Sequence, residues 1–139
     1  MAEPLPDHQS VPQSAVSLLV VDDEPDMRIL VRAFLEGAGY RVVGEAANGP
    51  DALLEFRRLN PPPEPTVIIL DNRMPTLTGL QVAEQVLAER PDQLIVLFTA
   101  YLDDDVRAAA TRLGVAACLS KTRMEQLPEV VRELTSTAC

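Results

Sequence analysis

The sequence predicts an α/β fold, in which a doubly wound, five-stranded parallel sheet of order 2-1-3-4-5 is flanked by five helices. Two observations favour this fold. Short apolar segments rich in β-branched residues alternate five times with segments of helical period. Three of the apolar segments are almost uninterrupted, which is typical of strands covered by helices on both faces. The length of 139 residues corresponds to one domain.

The first two strand–helix units lie between residues 17 and 59. The segment SLLVV (17–21) predicts the first strand, and Met27, Leu30, Val31, Phe34 and Leu35 follow it at helical spacing. Gly37 and Gly39 indicate where that helix stops. The segment RVVGEA (41–46) is less apolar and predicts a strand at an edge of the sheet. GPDALLEFRRL (49–59) then predicts the second helix, with Pro50 suited to its first turn.

The remaining three units follow a proline-rich connector. The predicted elements are, in order, the connector PPPEP (61–65), strand TVIIL (66–70), helix LQVAEQVLAER (80–90), strand QLIVLF (93–98), helix DDDVRAAATRL (103–113) and strand VAACL (115–119). In the fourth helix, Val106, Ala109, Ala110 and Leu113 predict a buried stripe. Leu127, Val130, Val131 and Leu134 predict the fifth helix. Residues 1–16 hold three prolines and no regular period, so we expect a disordered tail before a domain over 17–137.

Composition excludes several classes of function. Twelve Lys and Arg against 21 Asp and Glu give a formal net charge of −9, which argues against direct nucleic-acid binding. No apolar run reaches the roughly 18 residues of a membrane span, and we find no secretory signal pattern. Cys118 and Cys139 form neither a disulfide framework nor a metal-ligand spacing. A cytoplasmic protein is the expectation.

Chemically active side chains follow four of the five predicted strands. Asp22 and Asp23 follow the first, Asp71 follows the third, Thr99 follows the fourth and Lys121 follows the fifth. In open parallel sheets, ligands bind outside the carboxyl ends of the strands, where the strand order reverses. With strands one and three as central neighbours, the three carboxylates are expected to converge.

Converging carboxylates need either a proton or a cation. Two like charges about 4 Å apart repel by roughly 4 kcal/mol at an effective dielectric constant of 20. Oxygen ligands without His or Cys favour Mg²⁺, which usually also binds water and phosphate oxygens. Thr99 and Lys121 would complete a site for a phosphoryl group, and Asp71 could then act as a nucleophile that forms an acyl phosphate.

With these residues in place, the chain resembles a bacterial response-regulator receiver domain, the phosphorylated domain of two-component signalling. The resemblance covers about residues 16–137 and rests on LLVVDDEP, VIILDNRMPTLTG, LFTAY and CLSK. It implies that Asp71 is the phosphoacceptor and that the domain is not an enzyme. It also implies that Mg²⁺ is bound by Asp23 directly, by Asp22 more loosely, by Asp71 and by the backbone carbonyl of Arg73.

The resemblance also assigns contacts and partners. It implies that Thr99 donates a hydrogen bond to the phosphoryl group and that Lys121 pairs with it. The phosphoryl donor would be a sensor histidine kinase or a phosphotransfer protein that docks near helix one. The face formed by helix four, strand five and helix five would act on a downstream protein or output domain, and homodimerisation is a further expectation. Whether the chain is a stand-alone regulator or a fragment of a longer one stays open.

Three positions depart from the family pattern. Cys118 stands three residues before the lysine, where an aromatic switch residue is usual, and Thr122 replaces the usual proline after it. Arg73 occupies a variable position beside the metal site. We expect Tyr101 to take over part of the switch by packing inward past Cys118 when Asp71 is phosphorylated.

Three other classes of protein fit the sequence less well than a receiver domain does. A haloacid-dehalogenase-type phosphatase requires a second Asp two residues after the nucleophile, where this chain has Arg73. A flavodoxin would cradle phosphate in the loop that here carries Asp22 and Asp23, which would repel it. A pseudo-receiver without phosphorylation would not need the complete set of acids, Thr99 and Lys121.

Overall fold

The predicted fold is confirmed. The computed structural model describes residues 13–59 and 65–136, in which five parallel strands lie in the order β2-β1-β3-β4-β5. The strands are β1 (Ser17–Val21), β2 (Arg41–Ala46), β3 (Val67–Leu70), β4 (Leu94–Thr99) and β5 (Ala117–Ser120). The helices are α1 (Pro25–Gly37), α2 (Gly49–Leu59), α3 (Gly79–Glu89), α4 (Asp104–Leu113) and α5 (Leu127–Thr135). All but Pro65 of the predicted connector lies outside the described residues.

Most element boundaries agree with the sequence pattern to within one or two residues. The bounds of β1, β2 and α2 are as predicted. Strand β5 starts two residues later than predicted, because Gly114 ends α4 in a left-handed conformation with φ of 98°. The N–H of Val115 then donates to the carbonyl of Ala110 at 3.0 Å, so this residue closes the turn and does not begin the strand.

Regular structure also begins earlier than expected at the amino end. A 3-10 helix covers Gln13–Ala15, and Val16 after it is fully buried. The carbonyl of Val16 accepts a hydrogen bond from the N–H of Arg41 at 3.3 Å, which ties this residue to the start of β2. Residues 13–16 therefore do not fit the predicted disordered tail. Residues 1–12 are outside the described part of the chain, and for them disorder stays a prediction.

The sheet divides the hydrophobic core into two clusters. Leu18 and Val20 of β1 point to one face, where helices α1 and α5 cover them. Leu19 and Val21 point to the opposite face, where helices α2, α3 and α4 cover them. Strands β1 and β3 are buried along their whole length, which explains why their sequences are apolar at every position except Ser17.

Helices α1 and α4 bury less apolar surface than their spacing suggests. In α1, Val31 and Leu35 are buried, but Leu30 and Phe34 are 47% and 41% exposed, and Ile29 beside them is 64% exposed. In α4 only Ala110 of the expected stripe is fully buried, and the other three residues are half-buried. Helical spacing predicts which residues share a side of a helix, but the width of the covering surface decides how many of them are buried.

Candidate functional site

Asp22, Asp23 and Asp71 meet at the carboxyl edge of the sheet, as predicted. Val21 of β1 lies beside Leu70 of β3 in parallel register, so the residues that follow them are neighbours. The N–H of Asp71 continues the ladder by donating to the carbonyl of Val21 at 2.9 Å. Asp22 and Asp71 are buried and Asp23 is exposed. One carboxylate oxygen from each of the three aspartates lies within 4.8 Å of the others.

The loop after β1 is held from both sides of Asp22. The Oδ1 atom of Asp22 accepts a hydrogen bond from the N–H of Glu24 at 2.9 Å. From α1, the Nη1 atom of Arg28 donates to the carbonyl oxygen of Asp22 at 2.6 Å, while its Nε atom donates to Glu45 of β2 at 3.2 Å. Arg28 therefore ties the acidic loop to its own helix and to the edge strand. Sequence reasoning did not single out this arginine.

The loop after β3 folds back tightly against Asp71. The N–H of Asn72 donates to Oδ1 of Asp71 at 2.8 Å, and the carbonyl of Asn72 accepts from the N–H of Gly79 at 2.8 Å. The Asn72 side chain accepts from the N–H of Leu80 in the first turn of α3 at 3.0 Å. A Cβ atom at Gly79 would overlap the backbone carbonyl of Asp71, so only glycine allows this close approach.

Lys121 supplies a positive charge among the carboxylates. It directly follows Ser120, which lies beside Thr99 in the register of β4 and β5. Its Nζ atom lies 2.6 Å from Oδ2 of Asp22 and 3.3 Å from Oδ2 of Asp71, and the side chain is 8% exposed. The lysine thus offsets the mutual repulsion of the two buried aspartates.

The pKa values of Asp71 and Lys121 reflect this arrangement. Burial raises the pKa of Asp71 above its ordinary 3.8 and the negative charge of Asp22 adds to the effect, while Lys121 opposes it. For Lys121, burial acts to lower the pKa, but its hydrogen bonds and charge interactions with Asp22 and Asp71 outweigh burial and leave the pKa above 10.5. A further cation in the site would favour the ionised carboxylate of Asp71.

Thr99 and Cys118 lie on the two strands beyond β3. Thr99 ends β4, is fully buried, and its Oγ1 atom accepts a hydrogen bond from the N–H of Tyr101 at 3.3 Å. Cys118 lies beside Leu97 in the middle of the β4–β5 pair and packs against the cluster under α2, α3 and α4. Burial raises the pKa of the Cys118 thiol, and the positive charge of Arg107 opposes that shift. This sulfur therefore belongs to a half-buried, neutral thiol.

Tyr101 faces outward and contacts Arg73. Its side chain is 56% exposed, and the Cζ atom of Arg73 lies 3.8 Å from the centroid of its ring. Sequence reasoning assigned a role only to the backbone carbonyl of Arg73, so this side-chain contact was missed. The expected inward packing of Tyr101 concerns the phosphorylated state and stays a prediction.

A cavity of about 270 Å³ lies at the carboxyl edge of the sheet. It is lined by Asp23, Glu24, Asp71, Arg73, Ala100, Tyr101 and Lys121. We call it the carboxylate pocket. Its donor set suits a hard divalent cation, because three carboxylates supply oxygen ligands within bonding reach of one ion and two of them are buried beside only one lysine. The residues present therefore fit Mg²⁺.

No helix within residues 13–59 and 65–136 is both long enough and apolar enough to cross a lipid bilayer.

Comparisons with known proteins agree with the fold. The family model of the response regulator receiver domain matches residues 18–132. Among curated relatives, the protein-glutamate methylesterase/protein-glutamine glutaminase 3 of Hahella chejuensis is 33% identical over 123 residues, which cover 87% of this chain and 34% of that protein. The response regulator GacA of Pseudomonas protegens is 32% identical over 107 residues, which cover 76% of this chain and 48% of that protein.

Solved structures include similar domains. The signal receiver domain of the putative response regulator NarL from Mycobacterium tuberculosis is 31% identical, with a TM-score of 0.76 over 86% of this chain and 95% of that one. The chain spans about a third to a half of the length of the two curated relatives named above. The match to the family model includes every strand residue except Ser17 and all residues that line the carboxylate pocket. The chain therefore belongs to the receiver domain family of two-component response regulators.

Proposed function

We propose that this receiver domain accepts a phosphoryl group on Asp71 from the phosphohistidine of a sensor histidine kinase or phosphotransfer protein, in the presence of Mg²⁺. The observation that carries the proposal is the convergence of the carboxylates of Asp22, Asp23 and Asp71, with the Nζ atom of Lys121 against Asp22 and Asp71. A buried carboxylate with a raised pKa acts as a nucleophile only when nearby positive charge stabilises its ionised form. In this site, Lys121 and a cation bound by the aspartates would supply that positive charge.

The transfer exchanges one bond for another. A carboxylate oxygen of Asp71 attacks the phosphorus atom, the bond from phosphorus to the histidine nitrogen breaks, and its electron pair returns to the imidazole. Lys121 pairs with the phosphoryl oxygens, and the hydroxyl of Thr99 donates a hydrogen bond to one of them. Asp22, Asp23, Asp71 and the backbone carbonyl of Arg73 would hold Mg²⁺, which supplies positive charge against repulsion between the phosphoryl dianion and the carboxylates.

We place the phosphoryl donor on the exposed apolar side of α1. Ile29, Leu30 and Phe34 are 64%, 47% and 41% exposed. A shallow cavity of about 430 Å³ over the first turns of α1 contains Asp23 and Leu30, so it connects the apolar side of the helix with the acidic loop. Exposed apolar residues beside a reactive site are typical of a surface that docks another protein.

The downstream surface and the cellular setting complete the proposal. The face of α4, β5 and α5 carries the signal to a downstream protein or output domain, and homodimerisation would use the same face. The domain assists its own phosphorylation and dephosphorylation without being an enzyme, and it acts in the cytoplasm. The methylesterase activity is named for the Hahella chejuensis relative, of which this chain matches 34%.

Acetyl phosphate tests the chemistry without a protein donor. Incubated with acetyl phosphate and Mg²⁺, the parent protein should gain the mass of one phosphoryl group, as measured by intact-protein mass spectrometry. The Asp71→Asn variant should gain nothing, and Asp23→Asn should gain far less at the same Mg²⁺ concentration. A parent protein that gains no mass would contradict the proposal and favour a pseudo-receiver.

A further inference from the structure

Arg73 rests on the ring of Tyr101 at the mouth of the carboxylate pocket. Its Cζ atom lies 3.8 Å from the ring centroid, and in the described part of the chain its guanidinium forms no ion pair. Both side chains line the same cavity as Asp71 and Lys121. An arginine beside several carboxylates would ordinarily pair with one of them, so its position on the ring leaves its hydrogen-bond donors available.

The pocket lacks positive charge once a phosphoryl group is bound. An acyl phosphate carries a charge near −2, and it would stand beside Asp22 and Asp23 with Glu24 at the rim. Lys121 and one divalent cation do not balance this set of charges. An arginine could supply the missing positive charge, because its planar guanidinium donates two parallel hydrogen bonds to the oxygens of one phosphoryl group.

We propose that the guanidinium of Arg73 is a second cationic contact for the phosphoryl group, and that Tyr101 holds it at the pocket mouth until that group arrives. The inference rests on the proposed function. A guanidinium on an exposed ring is weakly held, whereas hydrogen bonds between a guanidinium and a phosphoryl dianion are charge-assisted and stronger. Phosphorylation therefore moves Arg73 from the ring to the phosphoryl oxygens.

The exchange also changes the freedom of Tyr101. In the structure, Arg73 lies on one face of the Tyr101 ring. The backbone N–H of Tyr101 donates to Oγ1 of Thr99 at 3.3 Å. When Arg73 leaves, the ring loses the contact that holds it outward, but its backbone stays linked to the threonine that contacts the phosphoryl group. Tyr101 is then free to reposition in the phosphorylated state only. The pair thus couples the charge on Asp71 to a ring at the surface, without an aromatic residue at Cys118.

Binding of beryllofluoride with Mg²⁺, a mimic of the phosphoryl group, tests the contact. Arg73→Ala should weaken this binding about tenfold, because a charge-assisted contact is lost. Arg73→Lys keeps the positive charge but cannot donate two parallel hydrogen bonds, so its affinity should lie between those of the parent and of Arg73→Ala. Tyr101→Leu should raise the affinity, because the competing ring contact is gone. Arg112→Ala, which removes an exposed arginine in the last turn of α4, controls for net charge and should have no effect.

Nuclear magnetic resonance distinguishes the proposed movement from a general electrostatic effect. The Nε–H resonance of Arg73, assigned by its loss in Arg73→Lys, should carry a ring-current shift that disappears in Tyr101→Leu. Adding beryllofluoride and Mg²⁺ to the parent should remove the same shift. If the shift persists in the bound state, or if Arg73→Ala and Arg112→Ala bind beryllofluoride equally, the inference is overturned.

The same experiments separate this inference from the proposed function. A parent protein that neither binds beryllofluoride nor gains mass with acetyl phosphate would overturn both. A parent that does both, together with an Arg73→Ala variant of unchanged affinity, would overturn the role of Arg73 alone and leave Asp71 as the phosphoacceptor.

Discussion

At the scale of single residues, the amino group of Lys121 contacts the two buried carboxylates of the site. It lies 2.6 Å from Asp22 and 3.3 Å from Asp71, and without it two buried carboxylates would face each other. Two like charges about 4 Å apart repel by roughly 4 kcal/mol at an effective dielectric constant of 20. The lysine therefore stabilises the folded domain before any ligand is bound, and it is already in position for a phosphoryl group on Asp71.

Gly79 gives a prediction at the same scale. Gly79→Ala should lower the free energy of unfolding by about 3 kcal/mol, because the new methyl group would overlap the backbone of Asp71. It should also impair phosphorylation, since the loop that carries Asp71 must move. Urea unfolding followed by circular dichroism measures the loss of stability.

Gly37 is the matched control for that change. A Cβ atom there would have no other atom within 4 Å, and the residue ends α1 without a positive φ. Gly37→Ala should therefore raise the free energy of unfolding by about 0.5–1 kcal/mol. Equal effects of the two substitutions would show that the close approach at Gly79 is relieved at little cost.

At the scale of elements, helix α1 serves two purposes on two sides. Val31 and Leu35 pack into the core, while Arg28 donates to the carbonyl of Asp22 and so fixes the acidic loop. The side carrying Ile29, Leu30 and Phe34 has no partner within residues 13–59 and 65–136 that buries it. One side of this helix therefore helps to build the site, and the other is the proposed docking surface for the phosphoryl donor.

The exposed side of α1 can be tested with a matched pair of substitutions. Ile29 and Leu54 are 64% and 63% exposed, on α1 and α2 respectively. Ile29→Ser should slow phosphoryl transfer from a histidine kinase or phosphotransfer protein about tenfold, because it removes an apolar contact at the proposed docking surface. Leu54→Ser should leave that rate unchanged.

Labelling by acetyl phosphate separates docking from chemistry in this pair. Both variants should be labelled at the parent rate, because neither side chain lies in the carboxylate pocket. Slower labelling of Ile29→Ser by acetyl phosphate would show that the substitution disturbs the pocket itself. Equal rates of phosphoryl transfer from the protein donor to both variants would show that the donor does not dock on the exposed side of α1.

The sequence predicts the elements well and their environment less well. Strand β1 and helix α2 have the bounds that apolar period and turn residues indicate, because both signals are local. The exposure of Phe34 and the stacking of Arg73 on Tyr101 were not predicted, because each depends on how distant segments meet. The carboxylates were predicted to converge because parallel strands place their carboxyl ends at one edge, which needs only topology.

At the scale of the whole molecule, Mg²⁺ should stabilise the fold measurably. A ligand present at about 100 times its Kd stabilises by about 2.7 kcal/mol, which corresponds to a rise in Tm of roughly 5–15 °C for a domain of this size. The rise should appear in a thermal melt of the parent protein as Mg²⁺ is added. Ca²⁺, which prefers more ligands and longer bonds, should give a smaller rise.

Asp23→Asn provides the control for that measurement. Asp23 is exposed, so the substitution does not disturb the core, and it removes one of three mutually repelling charges. Without Mg²⁺ the variant should be at least as stable as the parent, and with Mg²⁺ it should gain much less. A variant that gains as much as the parent would show that the stabilising ion binds elsewhere.

The separation of the core by the sheet has a consequence for how such a domain can diverge over time. Substitutions under α1 and α5 contact one cluster, and those under α2, α3 and α4 contact the other, so their effects on stability should largely add. A lineage can therefore remodel the side that carries the proposed donor surface by accumulating changes there, without needing compensating changes on the other side. Only the strand ends belong to both sides, and there the freedom to vary is smallest.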